Sequence, residues 1–267
     1  MRYGVLADIH GNLHALDAAL KSLATLDVTA FLCVGDLVGY GPMPNECVAA
    51  IAALDARCVV GNHDLIALRR LPDDDCSPLA RDSLRWTTAR LCEDARRYLE
   101  RLPRVLTTPD GVVVAHGSLR DPSEYVRDSD QRLEQLRELG RDHPGASVLV
   151  LGHTHRPSAH SERRGPIDVR RGTTVRLVDG DRYVLNPGSV GQSRDGSPRA
   201  RFMVLDADRH EATFHAVRFD VRACRRALRE RGLPTYSHQL RPSIVRRAAG
   251  SFRRAARQAR RRLSRAA

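Results

Sequence analysis

Five short, mostly apolar runs in the first 155 residues each stop at glycine, aspartate, asparagine or histidine. Arg2 to Ala7 stops at Asp8-Ile9-His10, and Ala30 to Val34 stops at Gly35-Asp36-Leu37-Val38-Gly39-Tyr40-Gly41. Arg57 to Val60 stops at Gly61-Asn62-His63-Asp64, Val112 to Ala115 at His116-Gly117-Ser118, and Val148 to Leu151 at Gly152-His153-Thr154-His155. A short apolar run bounded by turn formers reads as a buried strand. Open α/β sheets place their chemistry just beyond the carboxyl ends of such strands. The chain is therefore expected to bring five polar strand ends to one edge of a sheet.

What lies between the runs supports an α/β reading. Leu13, Leu16, Ala19, Leu20 and Leu23 have helical spacing behind Asn12, a plausible N-cap, and Pro44-Asn45-Glu46 opens a second helix through Leu54. Strand, helix and strand in succession predict a largely parallel sheet. After a polar loop at 71–78, one helical region carries Leu91, Ala95, Tyr98, Leu99 and Leu102 on one face and ends at Pro103. A hairpin at 104–115 and a charged helix over 130–139 follow. Beyond His155 the pattern changes to successive strands at 167–170, 173–179, 183–186, 200–206 and 211–218, then a helix over 220–230. The change predicts a second sheet in the same domain, over residues 1–240.

The net charge of +12 is concentrated. Residues 241–267 carry ten arginines and no acid, so the rest of the chain is left with 12 − 10 = +2. This Arg/Ala-rich tail has helical spacing at Val245, Ala248, Phe252, Ala256, Ala259 and Leu263. It predicts at most a weak contact with nucleic acid or an anionic surface, without aromatic residues interleaved for base stacking. The six cysteines form no Cys-x-x-Cys pair and are expected to be reduced. No signal segment or transmembrane stretch is apparent, which predicts a cytoplasmic protein. Oligomeric state is not encoded legibly.

The strand-end residues are metal-ligand types. In extended chain, residues two apart face the same side, so Asp8 with His10 and His153 with His155 can converge. Imidazole and carboxylate together suit Zn, Fe, Mn or Co, and the lack of convergent thiols argues against a structural zinc. Alone, each piece is a turn or a core histidine; five in order, each closing a strand, form a site. Asp8, His10, Asp36, Asn62, His116, His153 and His155 are too many for one ion but suit two ions sharing a carboxylate, with Asp36 the expected bridge. Such pairs serve phosphoryl hydrolysis.

These blocks resemble the five signature blocks of the calcineurin-like metallophosphoesterase superfamily. Asp36-Leu37-Val38-Gly39-Tyr40-Gly41-Pro42 and Asn186-Pro187-Gly188-Ser189-Val190-Gly191-Gln192 are similar to its small prokaryotic phosphodiesterase branch. The resemblance implies a four-layer α/β/β/α sandwich of two mixed sheets. It implies one divalent or trivalent ion on Asp8, His10, Asp36 and His155, and a second on Asp36, Asn62, His116 and His153, with Mn favoured for activity. It also implies hydrolysis of a small nucleotide-type phosphodiester by a hydroxide held between the ions. His63 would be the general acid, Asp64 its orienting partner, and Asn62 a stabiliser of phosphoryl charge. Protein phosphatases of this superfamily place Asp-Arg where this chain has Gly39-Tyr40, and that Arg grips phosphate. Its absence places phosphomonoesterase or protein-phosphatase activity second, nuclease activity third and a non-catalytic interaction scaffold last. Asn186, Ser189 and Arg194 in the glycine-rich 186–199 loop are further candidate substrate contacts.

Overall fold

The computed structural model describes residues 1–239. The basic tail, with the polyanion contact expected of it, lies outside the described residues. Two six-stranded sheets form the frame. In the first, β1 (Arg2–Leu6), β2 (Ala30–Cys33) and β3 (Arg57–Cys58) run parallel in the order β3-β2-β1. Antiparallel β11 (Arg199–Asp206), β12 (Glu211–Arg218) and β9 (Thr174–Arg176) extend this sheet beyond β1. In the second, β5 (Val112–Ala115), β6 (Val148–Val150) and β10 (Tyr183–Asn186) form the parallel centre. It is flanked by β4 (Val105–Thr107) on one side and by β7 (Ser158–Ser161) and β8 (Gly165–Ile167) on the other.

The sheets stack through one apolar layer. Val5, Ala7, Leu32, Val34 and Val59 of the first meet Val114, Val150, Tyr183 and Leu185 of the second. Intervening strand residues face outward onto helices. Leu6, Cys33, Phe202 and Val204 pack with α1 (Leu13–Leu23) and α2 (Pro44–Ala53), while Val113, Leu149 and Val184 pack with α6 (Ser129–Asp142). Because both sheet faces are covered, the central strands read as continuous apolar runs. The result is the expected α/β/β/α sandwich. Asn12 caps α1 by accepting from the Ala15 amide. All six cysteines are free. No helix among the described residues is long and apolar enough to cross a membrane.

Three local expectations are revised. The strands after residue 155 do not form a second sheet of their own. They divide, β9, β11 and β12 extending the first sheet and β7, β8 and β10 the second, so each parallel core gains an antiparallel flank. β7, with the sequence Ser-Ala-His-Ser, lacks the apolar signature of a strand; its pairing with β10 from Ser158↔Asn186 to Ser161↔Tyr183 creates it. The single helical region after residue 78 is two helices, α4 (Pro78–Thr88) and α5 (Glu93–Glu100). In addition, Asn62 opens a short helix, α3 (Asn62–Ala67), where only a polar turn was legible. Finally, α7 (Val221–Glu230) covers α1.

Candidate metal centre

The carboxyl ends of β1, β2 and β3 meet those of β5 and β6 where the two sheets face each other. Leaving a strand abruptly requires unusual backbone angles, and five of the seven candidate ligands adopt them. Asp8 (φ 53°), His10 (50°), Asp36 (55°), His153 (61°) and His155 (59°) all lie in the left-handed region. Asp and His tolerate that region better than most residues, and such strain concentrates at functional sites. Gly61 permits a close approach: a Cβ there would lie 2.1 Å from Asp36 Oδ1.

The ligand-type atoms form two groups, each within 4.8 Å: Asp8, His10, Asp36 and His155, and Asp36, His116 and His153. Asp36 belongs to both. Asn62 joins the second group, its Oδ1 3.1 Å from His116 Nε2. The structure thus brings all seven residues together.

The hydrogen bonds around this cluster test whether it suits cations. Each histidine gives one ring nitrogen to a backbone carbonyl. His10 Nδ1 lies 3.0 Å from Val38 O, His116 Nδ1 2.6 Å from Val34 O, and His155 Nδ1 2.8 Å from Gln192 O. His153 uses Nε2, 3.2 Å from Ser123 O. A carbonyl only accepts, so those nitrogens carry protons, and in the neutral ring the other nitrogen of each turns a lone pair inward. His10 Nε2 and His155 Nε2 face each other at 3.0 Å, an unfavourable opposition of two lone pairs unless a cation or proton lies between them.

The carboxylates show the same division. Asp8 Oδ1 accepts from the His153 amide (3.0 Å) and Asp36 Oδ1 from the His63 amide (2.8 Å), while both Oδ2 atoms are buried without a hydrogen bond. Buried polar atoms are ordinarily paired, so orphaned carboxylate oxygens beside inward lone pairs fit metal ions.

Electrostatics agree for three of the four histidines. Burial pushes the basicity of His10, His153 and His155 well below the usual histidine range, keeping them neutral and able to ligate. Burial raises Asp8 to about 7. His116 is pulled down by burial but pushed up more strongly by Asp36 and Asp8, to about 10. Burial opposes ionisation of Asp36, yet His116 and His63 outweigh it and hold that carboxyl well below the usual range.

Each group takes donors from both sheets, so bound ions would tie the sheets together. Two ions, each at about 100 times its dissociation constant, stabilise by about 5 kcal/mol, equivalent to roughly 10–20 °C in a domain of this size. Removing metal by dialysis against a chelator is expected to lower the calorimetric Tm by that amount, and adding metal back to restore it. An unchanged Tm would count against ions at this position.

His63 stands at the second position of α3, its ring 4.7 Å from that of His10 and 4.8 Å from that of Tyr40. Its Nδ1 is buried without a partner, against Gly39. Asp64 is not its orienting group. The two Asp64 oxygens accept from the amides of Val38 (3.1 Å) and Gly61 (3.0 Å), so Asp64 clamps the second strand-end block to the third.

The 186–199 loop also divides by role. Asn186 donates to Gly152 O (2.6 Å) and Thr154 Oγ1 (3.1 Å) and accepts from the Gly188 amide. Ser189 donates to Asp8 O (2.8 Å) and accepts from the Gln192 amide. Their hydrogen bonds brace the Asp8 and His153 blocks and leave these side chains nothing to offer a substrate. Arg194 differs: its guanidinium donates to Gln192 Oε1 and Tyr125 Oη, each at 3.3 Å, and among the described residues it forms no ion pair. Tyr125 and Ser123 touch the cluster without having been apparent from sequence; they carry no ligand chemistry and come from a connecting loop.

Comparison with known proteins places this architecture. Residues 1–210 match the calcineurin-like phosphoesterase superfamily domain. A metallophosphoesterase from Sphaerobacter thermophilus superposes with a TM-score of 0.75 at 35% identity, covering 89% of this chain and 96% of that one. An uncharacterized protein of Methanocaldococcus jannaschii is 28% identical over 235 residues, 87% of this chain and 93% of its own length. The phosphodiesterase YfcE of Escherichia coli is 27% identical over 214 residues, 78% of this chain and 89% of its own.

Proposed function

Because the chain belongs to the calcineurin-like phosphoesterase superfamily, we propose that it hydrolyses small phosphodiesters of nucleotide type at a dinuclear centre bridged by Asp36. Asp8, His10, Asp36 and His155 would hold one ion, and Asp36, Asn62, His116 and His153 the other. Bound there, the ions would supply Lewis acidity to the phosphoryl oxygens and to water. The observation that carries the reading is the sharing of Asp36 between two donor groups beside a histidine that is not itself in either group.

His63 is then the proton donor to the leaving alkoxide. Its Nδ1 is shut against Gly39, so Nε2 is the nitrogen that acts. Burial holds the imidazole neutral, with its pKa lowered to about 4. The negative charge of a bound phosphodiester shifts that balance toward the imidazolium, the form that donates the proton. Arg194 remains charged, as a guanidinium does in proteins, and offers the site a cation for phosphoryl oxygens.

Tyr40 stands where the phosphatase relatives have an arginine, and its buried ring packs on His10 and His63. A monoester dianion would lack that clamp, which favours the diester. The second reading, phosphomonoester hydrolysis, is favoured by Arg194. A panel of cyclic nucleotides, dinucleoside polyphosphates, phosphopeptides and nucleic acids, assayed with Mn²⁺, separates the two. Diesters are expected to be turned over faster than phosphopeptides, and the reverse order would overturn the reading. The scaffold alternative is tested by metal analysis of protein purified without chelator: less than about one ion per chain would favour it.

Gly39 gives a further test. It has φ 89°, and a Cβ would lie 2.5 Å from His63 Nδ1. Gly39→Ala is expected to displace the ring and slow alkyl diesters roughly 100-fold while leaving metal content unchanged, since small misplacements of a reacting group cost about that much. Unaltered turnover would show that His63 does not act from this pose.

A further inference from the structure

The residues between β5 and α6 form a loop over the centre, and one of its side chains meets three functional groups at once. The Tyr125 ring lies against the His153 imidazole, centroids 3.8 Å apart and planes 25° from parallel. The Arg127 guanidinium sits 3.7 Å from the Tyr125 centroid. The Tyr125 hydroxyl accepts from Arg194 Nη1 at 3.3 Å. Two residues earlier, Ser123 O receives the His153 Nε2 proton.

These contacts have a common consequence. A tyrosine ring packed against an imidazole and a guanidinium has little freedom, so its hydroxyl is a fixed point. Arg194, which is long and has no carboxylate partner among the described residues, is anchored by that hydroxyl and by Gln192 Oε1. Gln192 in turn accepts the His155 Nδ1 proton at its carbonyl. The side chain proposed to bind phosphate is thus tied, through Tyr125 and Gln192, to one candidate ligand of each ion.

We propose that Tyr125 is the positioning residue of the centre: its hydroxyl pre-orders Arg194 for a phosphoryl oxygen, and its ring fixes the His153 imidazole. This rests on Arg194 as the phosphate-binding cation. An arginine already held in its binding rotamer loses less entropy when phosphate arrives, and one ordered long side chain is worth about 2- to 10-fold in affinity. The ring acts separately, because a misdirected ligand histidine weakens metal binding about 10- to 100-fold.

The test compares Tyr125→Phe, Tyr125→Ala, Arg194→Ala and the Tyr125→Phe/Arg194→Ala double variant, all metal-loaded, by calorimetric titration with inorganic phosphate. Metal affinity and diester kinetics are measured in parallel. Tyr125→Phe keeps the ring and is expected to weaken phosphate binding and raise KM about 2- to 10-fold, with kcat and metal affinity unchanged. In the Arg194→Ala background the same change is expected to have no further effect, because the hydroxyl acts only through Arg194. Tyr125→Ala is expected to weaken metal binding as well. Equal phosphate affinity in wild type and Tyr125→Phe, or full additivity with Arg194→Ala, would overturn the proposal. Phosphate titration does not depend on turnover, so failure of the diester panel with an intact phosphate cycle would remove the substrate reading and leave the positioning role standing.

Discussion

Asp36→Asn is expected to abolish phosphoester hydrolysis and most metal binding in one step. Asparagine can still accept the His63 amide hydrogen bond that Oδ1 now receives, so the α3 entry is retained. What disappears is the negative charge common to both donor groups. The remaining donors around the second group are His116, His153 and the neutral amide of Asn62, a set without any carboxylate. Loss of an outer-shell partner alone costs about 10- to 100-fold; loss of a shared charge should exceed the upper end of that range in both metal affinity and kcat/KM. Elemental analysis beside a kinetic assay and far-UV circular dichroism decides the matter. Wild-type turnover in a folded Asp36→Asn protein would refute the bridging role.

His63→Ala is expected to separate proton donation from metal binding. The side chain contributes to neither donor group, so metal content should equal that of wild type. General acid assistance is worth roughly 100- to 10,000-fold, and only where the departing oxygen needs a proton. Alkyl diesters should therefore slow by that amount while nitrophenyl esters, whose leaving groups depart unprotonated, slow little. Equal losses on both would show that His63 supports the site in another way, for example through its packing on His10 and Tyr40.

The residues proposed to hold metal were legible because their identity and their position at strand ends reinforce one another: aspartate or histidine after an apolar run is a double signal. The division of labour around them was not legible. Asp64 follows His63 directly, and adjacency suggested a pair. In the folded chain its carboxylate turns to the Val38 and Gly61 amides, because the sharp exit from β3 leaves those donors otherwise unpaired. Asn186 and Ser189 were read as facing substrate because polar residues in a glycine-rich loop commonly do. They are instead consumed by Gly152 O and Asp8 O, carbonyls exposed by the left-handed turns of the ligand blocks. Tyr125 carried no signal at all, since its place depends on how a loop of irregular structure meets His153 and Arg194. The same limit hid β7, whose identity as a strand resides in its partner β10.

The apolar layer between the sheets has a role beyond holding them together. Val34 precedes the Gly35-Asp36 turn, and its carbonyl receives the His116 proton from the opposite sheet. Val34 itself belongs to the inter-sheet core, together with Val59 and Val150. The thickness of that core therefore acts as a ruler for the distance between donors on the two sheets. Exchanging a valine for an alanine or an isoleucine in this layer would alter the size of the cage without changing any ligand. Preference for one ionic radius over another could drift in this lineage through hydrophobic substitutions alone, with every signature block left intact.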